Sequence, residues 1–99
     1  MARLLLDLNA PTLQEVWFAM EREEALAVLA TLKRISTMEW EQLYRDRGLR
    51  WEAIHSRVDP TGQRIYSLRV TGKVRAVAYR QGDLLRFLSL HPDHESAYQ

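Results

Sequence analysis

Residues Arg64–Tyr98 read RIYSLRVTGKVRAVAYRQGDLLRFLSLHPDHESAY, and this stretch decides the fold. Tyr66, Leu68 and Val70 alternate with Ser67, Arg69 and Thr71. Val74, Ala76 and Ala78 alternate with Arg75, Val77 and Tyr79. Leu84–Leu90 is an apolar run holding Arg86. A period of two marks strands, and Gly72-Lys73 and Gln81-Gly82-Asp83 are turn sequences between them. Short connections between consecutive strands make antiparallel neighbours. A polar tail follows, with His91, Asp93, His94 and Tyr98.

Upstream of this stretch, Asp59-Pro60-Thr61-Gly62 is a turn, because proline presets φ and glycine accepts positive φ. Arg50–Val58 before it alternates loosely and is read as a further strand. Trp40, Leu43 and Tyr44 share one side of a short helix. Ser36 as cap and Glu39 three residues on have the form of a capping box, and Gly48 suits the stop. Further back, Leu13, Val16, Trp17 and Met20 fall at i, i+3, i+4, i+7, one face of a helix. A second apolar set is Leu26, Leu29, Leu32 and Ile35, with Ala25 and Val28 flanking. The acidic run Glu21–Glu24 lies between them. Two helices in a hairpin are expected, with one long bent helix as the alternative. Leu4–Leu8 reads as a first strand, with Asn9 as N-cap and Pro11 in the first helical turn. The predicted class is α+β: an N-terminal strand, a helical hairpin, a short helix, then a four-stranded antiparallel meander.

Ninety-nine residues with 46% apolar content are enough for one domain, read as residues 1–99, with a single modest core. There is no cysteine, so disulfides and thiolate metal sites are excluded, and a reducing compartment is the natural expectation. Leu4–Leu6 is broken at once by Asp7, a poor start for a signal peptide, and no run approaches the ~20 apolar residues of a membrane span. A cytoplasmic protein is expected. The net charge of +1 hides an asymmetry. Residues 1–44 carry four basic and seven acidic side chains, whereas residues 45–86 carry ten basic against four acidic. Nine of those ten are arginine, the side chain whose planar fork matches phosphate. The basic block points to an anionic partner, most simply nucleic acid; a solvated, salt-bridged sheet surface is the bland alternative.

The arginine-bearing strands resemble the RelE/ParE superfamily of small bacterial toxins. The resemblance rests on Tyr66-Ser67-Leu68-Arg69, on Arg75 and Tyr79 of the next strand, on Phe87–His91, and on Tyr98. The opening Leu4–Leu8 followed by Leu13–Trp17 is also similar to the first strand and helix of those toxins. It implies a RelE-like fold and, for the ribonuclease branch, cleavage of messenger RNA in the ribosomal A site without a metal. There the 2′-hydroxyl attacks the adjacent phosphate, which requires a base, an acid and cations for the charge on phosphorus. By resemblance Arg75 would stabilise the phosphate, facing away from Ala76 and Ala78, and Arg69 would contact it. His91 and His94 would move protons, Asp93 would orient a histidine or pair with an arginine, and Tyr98 would stack on a base or act on protons. Further RNA contacts are expected from Arg50, His55, Arg57, Lys73 and Arg80. The implied partners are a cognate antitoxin protein and mRNA on the ribosome; no cofactor is implied. The ParE-like branch, which inhibits DNA gyrase, or a non-catalytic binding member, is the alternative. His91, Asp93 and His94 with His55 also have the composition of a metal site, although no spacing dictates a tetrahedral arrangement. Trp17 and Trp40 are read as core, with Trp51 left open between packing and base stacking.

Overall fold

The computed structural model describes residues 3–58 and 61–92. The order is β1 (Leu5–Asp7), α1 (Pro11–Ala19), α2 (Arg22–Ile35), α3 (Trp40–Arg45), β2 (Glu52–Val58), β3 (Arg64–Arg69), β4 (Arg75–Gln81) and β5 (Leu84–His91). The class is α+β, as the residue periods predict. The sheet, however, has five strands and is mixed. β2 to β5 form the antiparallel meander, and β1 adds to its far edge parallel to β5, giving the order β1-β5-β4-β3-β2. The helices that separate β1 from the meander act as the crossover that a parallel pairing requires.

Both turns behave as their residues dictate. Gly82 has φ +61 and begins the two-residue connection between Gln81 and Leu84, a position where a side chain would be strained. The β3–β4 turn is held by Thr71, whose Oγ1 accepts hydrogen bonds from the backbone N–H of Lys73 (3.1 Å) and Val74 (3.0 Å) and donates to Glu24 of α2 (3.0 Å). Thr31 of α2 donates to the Val70 carbonyl. The helix layer is thus tied by hydroxyls to the hairpin that carries Arg69 and Arg75.

The main core lies between the helices and one face of the sheet, where Leu68, Val70, Ala76, Ala78, Leu85, Phe87 and Leu90 meet Leu13, Val28, Leu32 and Ile35. The opposite face holds a smaller cluster of Ile54, Ile65 and Val77, with Leu88 packed against it. The α1–α2 hairpin forms, with its corner at Met20–Glu21. Its second apolar stripe is not the one the sequence suggests. Val28, Leu32 and Ile35 are buried, while Leu26 and Leu29 remain 51% and 40% exposed. Spacings 28-32-35 and 26-29-32 both suit a helix, and docking against the sheet selects between them. Two caps also move. Ser36 Oγ donates back to the Lys33 carbonyl (2.6 Å), closing α2, so α3 is capped from Glu39, whose N–H donates to Gln42 Oε1 (2.8 Å). Ala10, not Asn9, is the N-cap of α1; Asn9 lies one residue before it, its N–H donating to Asp7 Oδ1 (3.0 Å).

Among the described residues, no helix is long and apolar enough to cross a membrane.

Candidate phosphate-binding site on the second sheet face

Alternation along β4 sends Ala76 and Ala78 into the main core and Arg75 and Val77 to the other face. Register then aligns that face. Arg69 of β3 is paired with Arg75, and Arg75 is paired with His91 of β5. Three chemistry-bearing residues therefore stand side by side on three adjacent strands, spanning two strand spacings, roughly 10 Å. The next row, two residues along, is Ser67, Val77 and Ser89, with Glu52 of β2 opposite Ser67.

Arg75 faces away from the helices, as its strand position predicts, yet it is 9% exposed and counts as buried. Its expected outward position is thus corrected: the second face is itself packed around Ile54, Ile65 and Val77. Arg69 is half-buried, and its Nε is buried with no hydrogen-bond partner among the described residues. His91 is half-buried, and its Nε2 lies 2.7 Å from Ser89 Oγ. Two guanidiniums directly opposed across strands repel, and an orphaned buried N–H costs desolvation energy. An anion between them relieves both, and arginine's fork offers it paired hydrogen bonds.

The remaining predicted residues distribute unevenly. Lys73 is exposed at the tip of the β3–β4 turn and lines a groove of about 330 Å³ with Pro92 and Glu21, Glu23 and Glu24. Arg50 is exposed, has φ +52, and pairs with Glu52 at 3.4 Å. The preceding residue, Leu49, accepts the backbone N–H of Arg69 (2.6 Å), so the loop that delivers Arg50 docks on the end of β3. That loop is organised by Asp46. Its Oδ1 accepts the Leu49 N–H (2.9 Å) and its Oδ2 accepts Arg34 (2.8 Å). The Arg34 hydrogen bond, supported by Leu49, holds the Asp46 carboxyl below its ordinary value, against a smaller opposing effect of desolvation.

His55 is exposed on β2, beyond the register shift that follows Ala53, and does not join the row. Arg80 lies on the helix side. It donates to the Gly82 carbonyl (2.8 Å) and to Tyr44 Oη (2.8 Å), with its guanidinium 4.5 Å from the Trp40 ring centroid. It clamps α3 to the sheet. Trp51 stacks on Tyr66 (centroids 4.4 Å apart) and packs against the main core. Asp93, His94 and Tyr98, with the side chain of Arg57, lie outside the described residues. Among the described residues, no group of three histidines or carboxylates gathers in a form that would hold a metal.

Two polar neighbours of the row go unremarked in the sequence reading. Glu52 shares the face only because β2 pairs with β3 at Ser67. Ser89 is marked in the sequence only as a hydroxyl inside the apolar run Phe87–Leu90, two residues from His91.

Chemically the row can bind an anion at two fixed cations and exchange a proton at an imidazole beside it. Comparison with protein-family models, curated proteins and solved structures gave no match.

Proposed function

We propose that this chain is a RelE-like toxin, an endoribonuclease that cuts messenger RNA on the translating ribosome. The observation that carries this reading is the row Arg69–Arg75–His91, two phosphate-grade cations and a titratable ring in register on adjacent strands. The arrangement of a first strand, a helical hairpin and an arginine-bearing antiparallel sheet supports it, as does the match of Tyr66–Arg69, Arg75 and Tyr79 to the toxin motif.

In the proposed reaction the RNA 2′-hydroxyl attacks the adjacent phosphorus and loses its proton to a base. The bond from phosphorus to the 5′-oxygen breaks, and an acid returns a proton to that oxygen. Arg75 and Arg69 hold the phosphate and stabilise its added charge. His91, with His94, supplies proton transfer, Asp93 orients, and Tyr98 stacks or acts as an acid. Arg50 and Lys73 extend the cationic surface for the RNA strand. Work on translating ribosomes places the protein in the cytoplasm, and a toxin of this kind is held in check by an antitoxin protein covering the basic face.

The test is primer extension on a defined message in a reconstituted translation reaction. New 5′ ends inside codons, seen only while ribosomes translate and lost in Arg75→Gln and His91→Gln, are the expected result. Cuts on naked RNA overturn the ribosome dependence. No cuts, with translation proceeding normally, overturn the reading in favour of gyrase inhibition or a purely binding role.

A further inference from the structure

We infer that Ser89 is the positioning residue for His91, holding its ring in one orientation and selecting which ring nitrogen carries the proton. Ser89 and His91 are two residues apart on β5 and so project from the same face. The Ser89 hydroxyl lies 2.7 Å from His91 Nε2, inside hydrogen-bonding range for an O–H and a ring nitrogen. The contact is part-buried. Ser89 is paired with the fully buried Val77, in a strand whose neighbours Phe87 and Leu90 are core residues. At such a position an apolar side chain would add buried area, whereas a hydroxyl removed from water needs a partner. His91 Nε2 is that partner.

The consequence follows from the two distinct nitrogens of imidazole. The hydrogen bond made by one sets the protonation of the other. Neither guanidinium of the row can accept a hydrogen bond, so they cannot hold a protonated ring nitrogen in place. By donating its proton to Nε2, the serine hydroxyl leaves the ring proton on Nδ1 and fixes the ring against rotation about its side-chain bonds. Ser89 therefore acts on RNA cutting only through His91. The kinetic part of this inference rests on the ribonuclease reading, whereas the Ser89–His91 contact does not.

The test uses the full chain with ¹⁵N-labelled histidine, the His91 ring being assigned by comparison with His91→Gln. In the wild-type protein the two ring nitrogens are expected to show one dominant neutral tautomer. In Ser89→Ala they are expected to converge toward a tautomer mixture, with an unchanged circular dichroism spectrum, and Ser89→Thr is expected to restore the wild-type pattern. Cutting of ribosome-bound message should fall about five-fold in Ser89→Ala, the loss of one net hydrogen bond, and recover in Ser89→Thr. Ring signals identical in the wild type and Ser89→Ala overturn the inference, as does a folded Ser89→Thr that behaves like Ser89→Ala. If the ring signals shift as expected while His91→Gln cuts as fast as the wild type, positioning stands and the catalytic use of His91 fails.

Discussion

Arg69 and Arg75 are directly paired across β3 and β4, two guanidiniums on one sheet face, one of them with a buried Nε that has no hydrogen-bond partner among the described residues. Local stability disfavours both features. Like charges opposite each other in a sheet cost a few tenths to ~1 kcal/mol, and an orphaned buried donor costs ~1 kcal/mol or more. Arg69→Met should therefore stabilise the fold by about 1 kcal/mol, a rise of several degrees in Tm for a chain of this size. It should also weaken binding of short single-stranded RNA and flatten the salt dependence of that binding. Thermal unfolding and fluorescence anisotropy on the same preparations check it; a drop in Tm means that Arg69 is held by favourable contacts instead.

Asp46 makes stability depend on pH with a definite sign. Its folded-state carboxyl is held below the ordinary value chiefly by Arg34. A depressed carboxyl contributes stability above its unfolded value, near 3.9, and loses it as pH falls through the folded value. The pair is partly solvent-exposed, with side-chain exposures of 50% for Arg34 and 20% for Asp46, so the contribution stays below ~1 kcal/mol. Asp46→Asn should be less stable than the wild type at pH 7, and the gap should close once the pH is below the folded value of Asp46. Urea unfolding at pH 7 and at a series of lower pH values follows the gap; a gap that stays constant throughout assigns the loss to Asn geometry rather than charge.

Trp40 anchors α3 to the β4–β5 turn. Its Nε1 donates to the Asp83 carbonyl (3.1 Å), which also accepts the Leu5 N–H of β1 (3.0 Å), while Arg80 covers its ring. Trp40→Phe keeps most of the apolar volume but removes one of the two hydrogen bonds to the Asp83 carbonyl and weakens the cation contact, and should cost about 1–2 kcal/mol. Trp40→Ala, at a residue only 1% exposed, should cost about 3–5 kcal/mol. Denaturant midpoints at constant m distinguish these losses from a change in the unfolded state.

Ala78 is fully buried where the sheet meets the helices. Ala78→Leu inserts three carbons into that layer and should cost about 1–3 kcal/mol through overpacking. A neutral result in thermal unfolding would mean that the helix layer can shift outward without loss.

Much of this architecture was legible because it rests on local chemistry. The alternation of Tyr66–Thr71 and of Val74–Tyr79, Gly82 at a positive φ, and Pro11 opening a helix each follow from one or two residues. The candidate site was legible in part. Arg75 and Arg69 stand out as charges on strands whose other face is apolar, and His91 as the end of the last strand. The placement of Arg80 was not legible, because an arginine alternating in a strand looks alike whether it reaches outward or, as here, lies over Trp40 and hydrogen-bonds Tyr44.

By itself the sequence determined the class, the antiparallel meander, the helical hairpin and the sign of the charge on the β-rich half, since all of these depend on residue period, turn chemistry and composition. Only the tertiary structure decided that β1 closes the sheet beside β5, that Val28, Leu32 and Ile35 are buried in place of Leu26 and Leu29, and that Arg69, Arg75 and His91 share one row with Glu52 and Ser89 beside it. The physical reason is register. A helix offers several apolar stripes and a strand two faces, and pairing with distant residues fixes which one meets the core and which side chains become neighbours across strands.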